Sequence, residues 1–131
     1  MEPTAKRRLA LLGGGVLLAV SVTTLVQIYL LGESVIDAEP YAVAVGLGVA
    51  MPMLLSGAYP VTGGADTRTL ATMAVAESVV GTVSGIAAVA LLLAVDPPTM
   101  LPVGGGAAAA YLGGIAARAL VLGRLATDRK Q

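Results

Sequence analysis

Cysteine and histidine, two residue types that carry much of protein chemistry, are absent from this chain. Without cysteine there is no disulfide framework, thiolate metal site or cysteine nucleophile. Without histidine the chain lacks the commonest general base and a frequent ligand of metals and haem. The sequence also contains no P-loop, no HExxH motif and no nucleophile elbow. We therefore expect no enzyme, no metal and no cofactor, with an enzyme that acts on lipid as the most distant alternative.

Charged residues are also few. They make up 12% of the 131 residues, whereas 56% of the chain is hydrophobic and the mean hydropathy is +0.87. A soluble domain carries about 25% charged residues, so this composition indicates a membrane protein with room for a single domain, residues 1–131. The preference for arginine over lysine, among abundant Ala, Gly and Val, favours a GC-rich prokaryotic genome.

Four apolar segments are long enough to cross a bilayer, which takes roughly 20 helical residues. Gly, Pro and Asp interrupt the chain between them. The sequence therefore predicts an all-α fold, an integral membrane bundle of four transmembrane helices arranged as two antiparallel hairpins. The expected spans are residues 9–31, 41–59, 69–95 and 101–123.

The basic residues predict the orientation of the chain. All eight would lie on one side of the membrane if the chain crosses it four times, because they precede the first span, lie in the second loop or come at the end of the chain. The charged residues of the first and third loops are all acidic. The positive-inside rule therefore places the N- and C-termini of a multi-pass cell-membrane protein in the cytoplasm.

The first segment has features of a secretory signal as well, since Arg7 and Arg8 precede its apolar run. That run of about 23 residues exceeds the apolar core of a signal peptide, which has about 7–15. No small-x-small cleavage site follows it. We interpret the segment as a transmembrane anchor.

Glu77 lies inside the third span, and Arg118 lies inside the fourth. At a rise of about 1.5 Å per residue, both are roughly 8–12 Å from the cytoplasmic side. Charged groups within a membrane usually face the protein interior and pair with one another. The sequence therefore predicts a Glu77–Arg118 ion pair. In the alternative interpretation Arg118 snorkels to the headgroups and leaves Glu77 protonated and alone.

Small residues recur at four-residue spacing around these two charges. Facing residues of an antiparallel hairpin have a nearly constant sum of residue numbers, and four pairs share a sum that centres the turn between Pro97 and Pro98. Small residues let two helices approach closely in lipid. The expected pairs are Glu77 with Arg118, Gly81 with Gly114, Gly85 with Ala110, and Val89 with Gly106.

Two further residues are candidates for a structural or transport role. Tyr111 lies seven residues before Arg118 on nearly the same helix face, and a buried phenol requires a hydrogen-bond partner. We expect Ser84 or Thr82 to be that partner, in an interhelical contact rather than a substrate site. Pro52 predicts a kink in the second helix because it removes a backbone donor. Kinked helices occur in transporters and in ordinary membrane proteins alike.

Two functions follow from these residues. We expect a non-enzymatic accessory or assembly protein in which the Glu77–Arg118 pair is structural. The alternative is a small oligomeric transporter or ion channel with Glu77 as its proton or cation site. The expected partners are the lipid bilayer and a second copy or a membrane complex. Nucleic acid is not expected, because the basic ends are short and lack interleaved aromatic residues.

Overall fold

A computed structural model describes residues 3–32, 39–59, 66–95, 98 and 100–130, with side chains as far as Arg124. The predicted all-α class is confirmed: 93% of the described residues are helical, and none of them forms a strand. Within the described residues, four helices are long and apolar enough to cross a membrane, which supports a multi-pass membrane protein. They are α1 (Pro3–Leu25, continued by a π-helical turn, Val26–Leu30), α2 (Pro40–Ala58), α3 (Thr67–Leu93) and α4 (Met100–Lys130).

Two acidic residues cap the helices that follow them. The side chain of Glu39 accepts a hydrogen bond from the Ala42 N–H at 2.8 Å, at the start of α2. The side chain of Asp66 accepts one from the Thr69 N–H at 2.9 Å, at the start of α3. Each cap satisfies a backbone donor that has no partner inside its helix.

Two helices extend beyond the spans predicted from hydropathy, whereas α2 and α3 end one and two residues before their predicted ends. We expected the first span to begin at Leu9 and the fourth to end at Gly123, but α1 begins at Pro3 and α4 continues to Lys130. Hydropathy marks where a helix is apolar, whereas the flanking Ala, Lys and Arg residues are good helix formers that prolong the backbone helix. Pro97, on one side of the predicted turn, lies outside the described residues.

The turn that continues α1 is π-helical. The sequence did not predict it, because such turns are rare. This turn contains Gln27, whose side chain is buried. The Oε1 atom of Gln27 accepts a hydrogen bond from the Glu39 N–H at 3.3 Å. The end of α1 is thereby joined to the start of α2. Helix α2 itself continues through Pro52, and the kink stays a prediction.

Helix α2 lies at the centre of the arrangement. It contacts α1, α3 and α4, and α3 and α4 also pack against each other. Within the described residues α1 contacts neither α3 nor α4. Only 6% of the most apolar stretch of α1 is buried, against 44% for α2. The layout therefore differs from a bundle with one core shared by all four helices: α2, α3 and α4 form a three-helix core, and α1 flanks α2.

Glycines on two faces of α2 explain its central position. A methyl group at Gly46 would lie 2.6 Å from the carbonyl oxygen of Ala19 on α1. A methyl group at Gly48 would lie 2.8 Å from the Cα atom of Thr82 on α3. Because lipid provides no hydrophobic drive for helix association, such close backbone packing is a main source of attraction between the helices.

Candidate functional site

Helices α3 and α4 bring the two intramembrane charges together. Arg118 donates a hydrogen bond from Nη1 to Oε1 of Glu77 at 3.2 Å. The side chains are 6% and 1% exposed respectively, so both lie inside the protein rather than at its lipid-facing surface. Arg118 therefore does not leave Glu77 alone, as the snorkelling alternative required.

Small residues allow the two helices to approach closely enough for this contact. A methyl group at Gly81 would lie 3.0 Å from the Ala110 carbonyl oxygen, and one at Gly85 would lie 3.1 Å from the Gly106 carbonyl oxygen. Larger side chains at these positions would separate the backbones. All five small residues expected at this interface are buried: Gly81, Gly85, Gly106, Ala110 and Gly114.

Helix α2 packs apolar side chains against α4, close to the position of Arg118 along that helix. A methyl group at Gly114 would lie 2.8 Å from the Met51 sulfur and 3.4 Å from Cδ1 of Leu55. Met51 and Leu55 are fully buried. The flexible thioether of methionine fits an irregular gap between helices. Two buried apolar side chains of α2 thus pack against α4 one helical turn from Arg118.

Arg118 has a second partner on α2. Its Nη2 atom donates a hydrogen bond to the carbonyl oxygen of Tyr59, directly after the last residue of that helix. Carbonyl groups at a helix C-terminus have no donor within the helix and carry partial negative charge. One guanidinium group therefore joins three helices, through Glu77 on α3 and Tyr59 at the end of α2.

Arg8 of α1 binds the same end of α2. It donates from Nε to the Gly57 carbonyl oxygen at 2.9 Å and from Nη2 to the Ala58 carbonyl oxygen at 3.1 Å. Arg8 is exposed whereas Arg118 is buried. Two arginines from different helices thus supply donors to three successive carbonyl groups, which makes the end of α2 a junction of all four helices. We name the residues Arg8, Glu77, Arg118 and Gly57 to Tyr59 the α2 junction.

Tyr111 has a different partner from the one that we predicted. Its hydroxyl lies 3.1 Å from the hydroxyl of Tyr59. Ser84 and Thr82 instead lie against glycines of α4 and α2 respectively. The prediction failed because it considered only backbone register between α3 and α4, whereas the long Tyr59 side chain reaches α4 from the end of α2. Tyr111 therefore joins α4 to the α2 junction.

One polar atom of the junction has no partner. The Oε2 atom of Glu77 is buried and accepts no hydrogen bond from the described residues. A carboxylate can accept several hydrogen bonds, and charge-assisted N–H···O contacts are usually about 2.7–2.9 Å long. Glu77 has one such contact, at 3.2 Å. An unsatisfied buried acceptor costs about 1–3 kcal/mol and a charged one costs more, so this oxygen requires an explanation.

No group of three or more His, Cys, Asp or Glu side chains that could hold a metal ion occurs in the part of the chain that the structure describes. The junction holds two opposite charges inside the protein, and one carboxylate oxygen there has no hydrogen-bond partner among the described residues.

Comparison with known proteins yields no relative. The sequence matches no family model, and no curated protein and no solved structure is significantly similar to it. A functional assignment therefore depends on the residues and contacts of this chain.

Proposed function

We propose that this chain is a non-enzymatic membrane protein, an accessory or assembly component in which the Glu77–Arg118 pair is structural. The observation that carries this proposal is the double contact of Arg118, with Glu77 on α3 and with the Tyr59 carbonyl oxygen at the end of α2. Both acceptors belong to the protein, and the guanidinium is almost entirely buried. A group held in this way serves the packing of three helices.

A structural role predicts a large loss of stability when only one partner of the pair is removed. Removing one partner of a buried ion pair leaves an uncompensated charge and typically costs about 3–5 kcal/mol. Removing both partners avoids that penalty. The proposal therefore predicts that the two residues act on stability as a unit.

A double-mutant cycle tests this role. The free energy of unfolding is measured in detergent for Glu77→Gln, Arg118→Gln and the double variant, with Arg124→Gln, an exposed charge on the same helix, as the control. We expect each single variant to be destabilised, the double variant to recover part of the loss, and a coupling of about 0.5–3 kcal/mol. Additive effects, or a harmless Glu77→Gln, would contradict a structural pair.

The proposed membrane topology is two antiparallel hairpins, α1 with α2 and α3 with α4, in a prokaryotic cell membrane with cytoplasmic termini. The α1–α2 and α3–α4 contacts support the hairpins. The binding of Arg8 and Arg118 to one end of α2 supports a common side for the basic residues.

Single cysteines test this topology cleanly, because the chain has none of its own. Thr4→Cys and Pro98→Cys place a thiol at an exposed position on each expected side. In intact cells a membrane-impermeant maleimide should label the cysteine at position 98 and leave the one at position 4 unlabelled until the cells are lysed. The reverse pattern would invert the topology, and labelling at both positions would contradict the three membrane crossings expected between them.

A second candidate function is a small oligomeric transporter or channel in which Glu77 binds a proton or cation. It is favoured by the unpartnered Oε2 atom, because ionisable groups in membranes often mark transport pathways. Proton and sodium flux into liposomes that contain the wild type or Glu77→Gln tests it. A flux that the wild type supports and the variant abolishes would establish transport, whereas rates equal to those of protein-free liposomes would reject it.

A further inference from the structure

Glu77 is the one acidic residue in the four candidate membrane spans. Its two oxygens differ: Oε1 accepts from Arg118, and Oε2 has no hydrogen-bond partner. The side chain is 1% exposed, so bulk water and lipid headgroups do not reach it in this conformation. The Oε2 atom is therefore a buried acceptor for which the described side chains provide no donor.

Arg118, Tyr59 and Tyr111 all have hydrogen-bond partners other than Oε2 of Glu77. From α4, Arg118 divides its donors between Oε1 of Glu77 and the Tyr59 carbonyl oxygen. The hydroxyls of Tyr111 on α4 and Tyr59 at the end of α2 bond each other. Helix α2 (Pro40–Ala58) contains no Asp, Glu, Lys or Arg, and α1, which carries Arg8, does not contact α3 within the described residues. Arg118 is thus the one charged side chain of the described residues that faces the carboxyl group.

A proton fits this position better than a metal cation does. Sodium-like and calcium-like ions need roughly six oxygen ligands, and the described residues contain no cluster of acidic side chains around Glu77. A metal cation would also lie close to the positive guanidinium. A proton requires a single oxygen, which Oε2 provides.

We propose that Oε2 of Glu77 is a proton-binding site and that Arg118 transmits its occupancy to the C-terminal end of α2. When a fluctuation of the helices admits solvent, the carboxylate takes one proton from hydronium, which becomes water, and the neutral acid later returns that proton to water by the reverse step. In the neutral state the carboxyl group holds the guanidinium more weakly, so that the hydrogen bond of Arg118 to the Tyr59 carbonyl oxygen strengthens. This coupling goes beyond both proposed functions, since neither a structural pair nor a transporter requires it.

The test is nuclear magnetic resonance of the full-length protein in lipid nanodiscs, with isotope-labelled glutamate carboxyl and tyrosine carbonyl carbons. We expect the Glu77 carboxyl signal to follow a one-proton titration curve over the pH range in which the protein stays folded. The Tyr59 carbonyl signal should titrate with the same midpoint. A Glu77 signal that is constant over this range would overturn the proton site, and a titrating Glu77 with a fixed Tyr59 signal would overturn the coupling.

Two variants and a change of the dissolved cation test whether the titration belongs to Glu77 and to a proton. Glu77→Gln should abolish both titrations, and Glu39→Gln, which removes a carboxylate at the start of α2, should leave them unchanged. If Glu77→Gln does not fold, a water-soluble paramagnetic ion identifies Glu77 as the glutamate signal that is not broadened. A midpoint that shifts when sodium replaces choline would show a competing metal cation and overturn the assignment to a proton alone. Liposome flux is a separate measurement, so a negative flux result would reject the transporter function without changing the result of the titration.

Discussion

Arg8 of α1 and Arg118 of α4 come from opposite ends of the chain and bind adjacent carbonyl groups, those of Ala58 and Tyr59, at the end of α2. The two contacts differ in environment, because Arg8 is exposed and Arg118 is buried. Water competes for the exposed bond of Arg8 to the Ala58 carbonyl oxygen, whereas the contact of Arg118 with Glu77 is buried. We therefore expect the two arginines to contribute unequally to stability.

Replacing Arg8 by glutamine should loosen α1 without unfolding the other three helices. The variant loses two hydrogen bonds to α2, one part-buried and one exposed, and because neither is fully buried we expect a cost of about 1 kcal/mol, well below that of Arg118→Gln. Hydrogen exchange resolved by helix measures this effect. Amides of α1 should exchange faster in Arg8→Gln than in Arg7→Gln, which removes a neighbouring exposed charge. Equal exchange in the two variants would show that the Arg8 contact is not stabilising.

Alanine substitutions should separate glycines at helix contacts from glycines that face open space. A methyl group at Gly48 would lie 2.8 Å from the Thr82 Cα atom, so Gly48→Ala should destabilise the protein by about 1–3 kcal/mol through overpacking. Gly13 and Gly104 have no atom within 4 Å of the added methyl group. Their alanine variants should be neutral, or more stable by up to about 1 kcal/mol from helix propensity. Thermal unfolding in one detergent compares the three, and a tolerated Gly48→Ala would contradict the close α2–α3 packing.

The helices and the main charge contact were accessible from the sequence for physical reasons. A run of roughly 20 apolar residues has few alternatives to a membrane helix. Glu77 and Arg118 are conspicuous within such runs, and the regular rise of a helix allows their depths to be compared. The structure places Glu77 next to Arg118, and Gly85 close to Ala110, in the register that the residue numbers predict.

No residue pattern in the sequence indicated the other contacts of the α2 junction. The acceptors of Arg8 and of Arg118 on α2 are backbone carbonyl groups, which every residue has, so no residue type marks them. The contact between Tyr59 and Tyr111 depends on the length of a side chain that crosses between helices distant in sequence. Among the described helices, α1 packs against α2 only. This position depends on glycine contacts such as Gly46 with Ala19, and many of the chain's 17 glycines would have been equally plausible contact sites.

Removing the hydroxyl of either junction tyrosine should have the same modest effect. Tyr111→Phe and Tyr59→Phe each delete the hydrogen bond between the two hydroxyls and leave the rings in place. We expect a loss of about 0.5–1.5 kcal/mol for each, and little further loss in the double variant, because one bond is removed in all three. Tyr29→Phe, at a highly exposed position, is the control. Losses that add in the double variant would mean that the hydroxyls act independently.

Asp66 gives a prediction for the pH dependence of α3. Hydrogen bonds from Thr69, and to a smaller extent the charge of Arg68, hold the pKa of Asp66 below its ordinary value. A carboxyl group whose pKa is lower in the folded state stabilises that state above its unfolded pKa, and this stabilisation is lost as the pH falls through the folded value. The first turn of α3 should therefore fray in acid. Asp66→Asn keeps a capping side chain but has no carboxyl group to titrate, so its first turn should respond less to acid than that of the wild type. Amide exchange at Thr69 and Leu70 measures the difference, and identical acid profiles would show that the Asp66 cap is not what holds this turn.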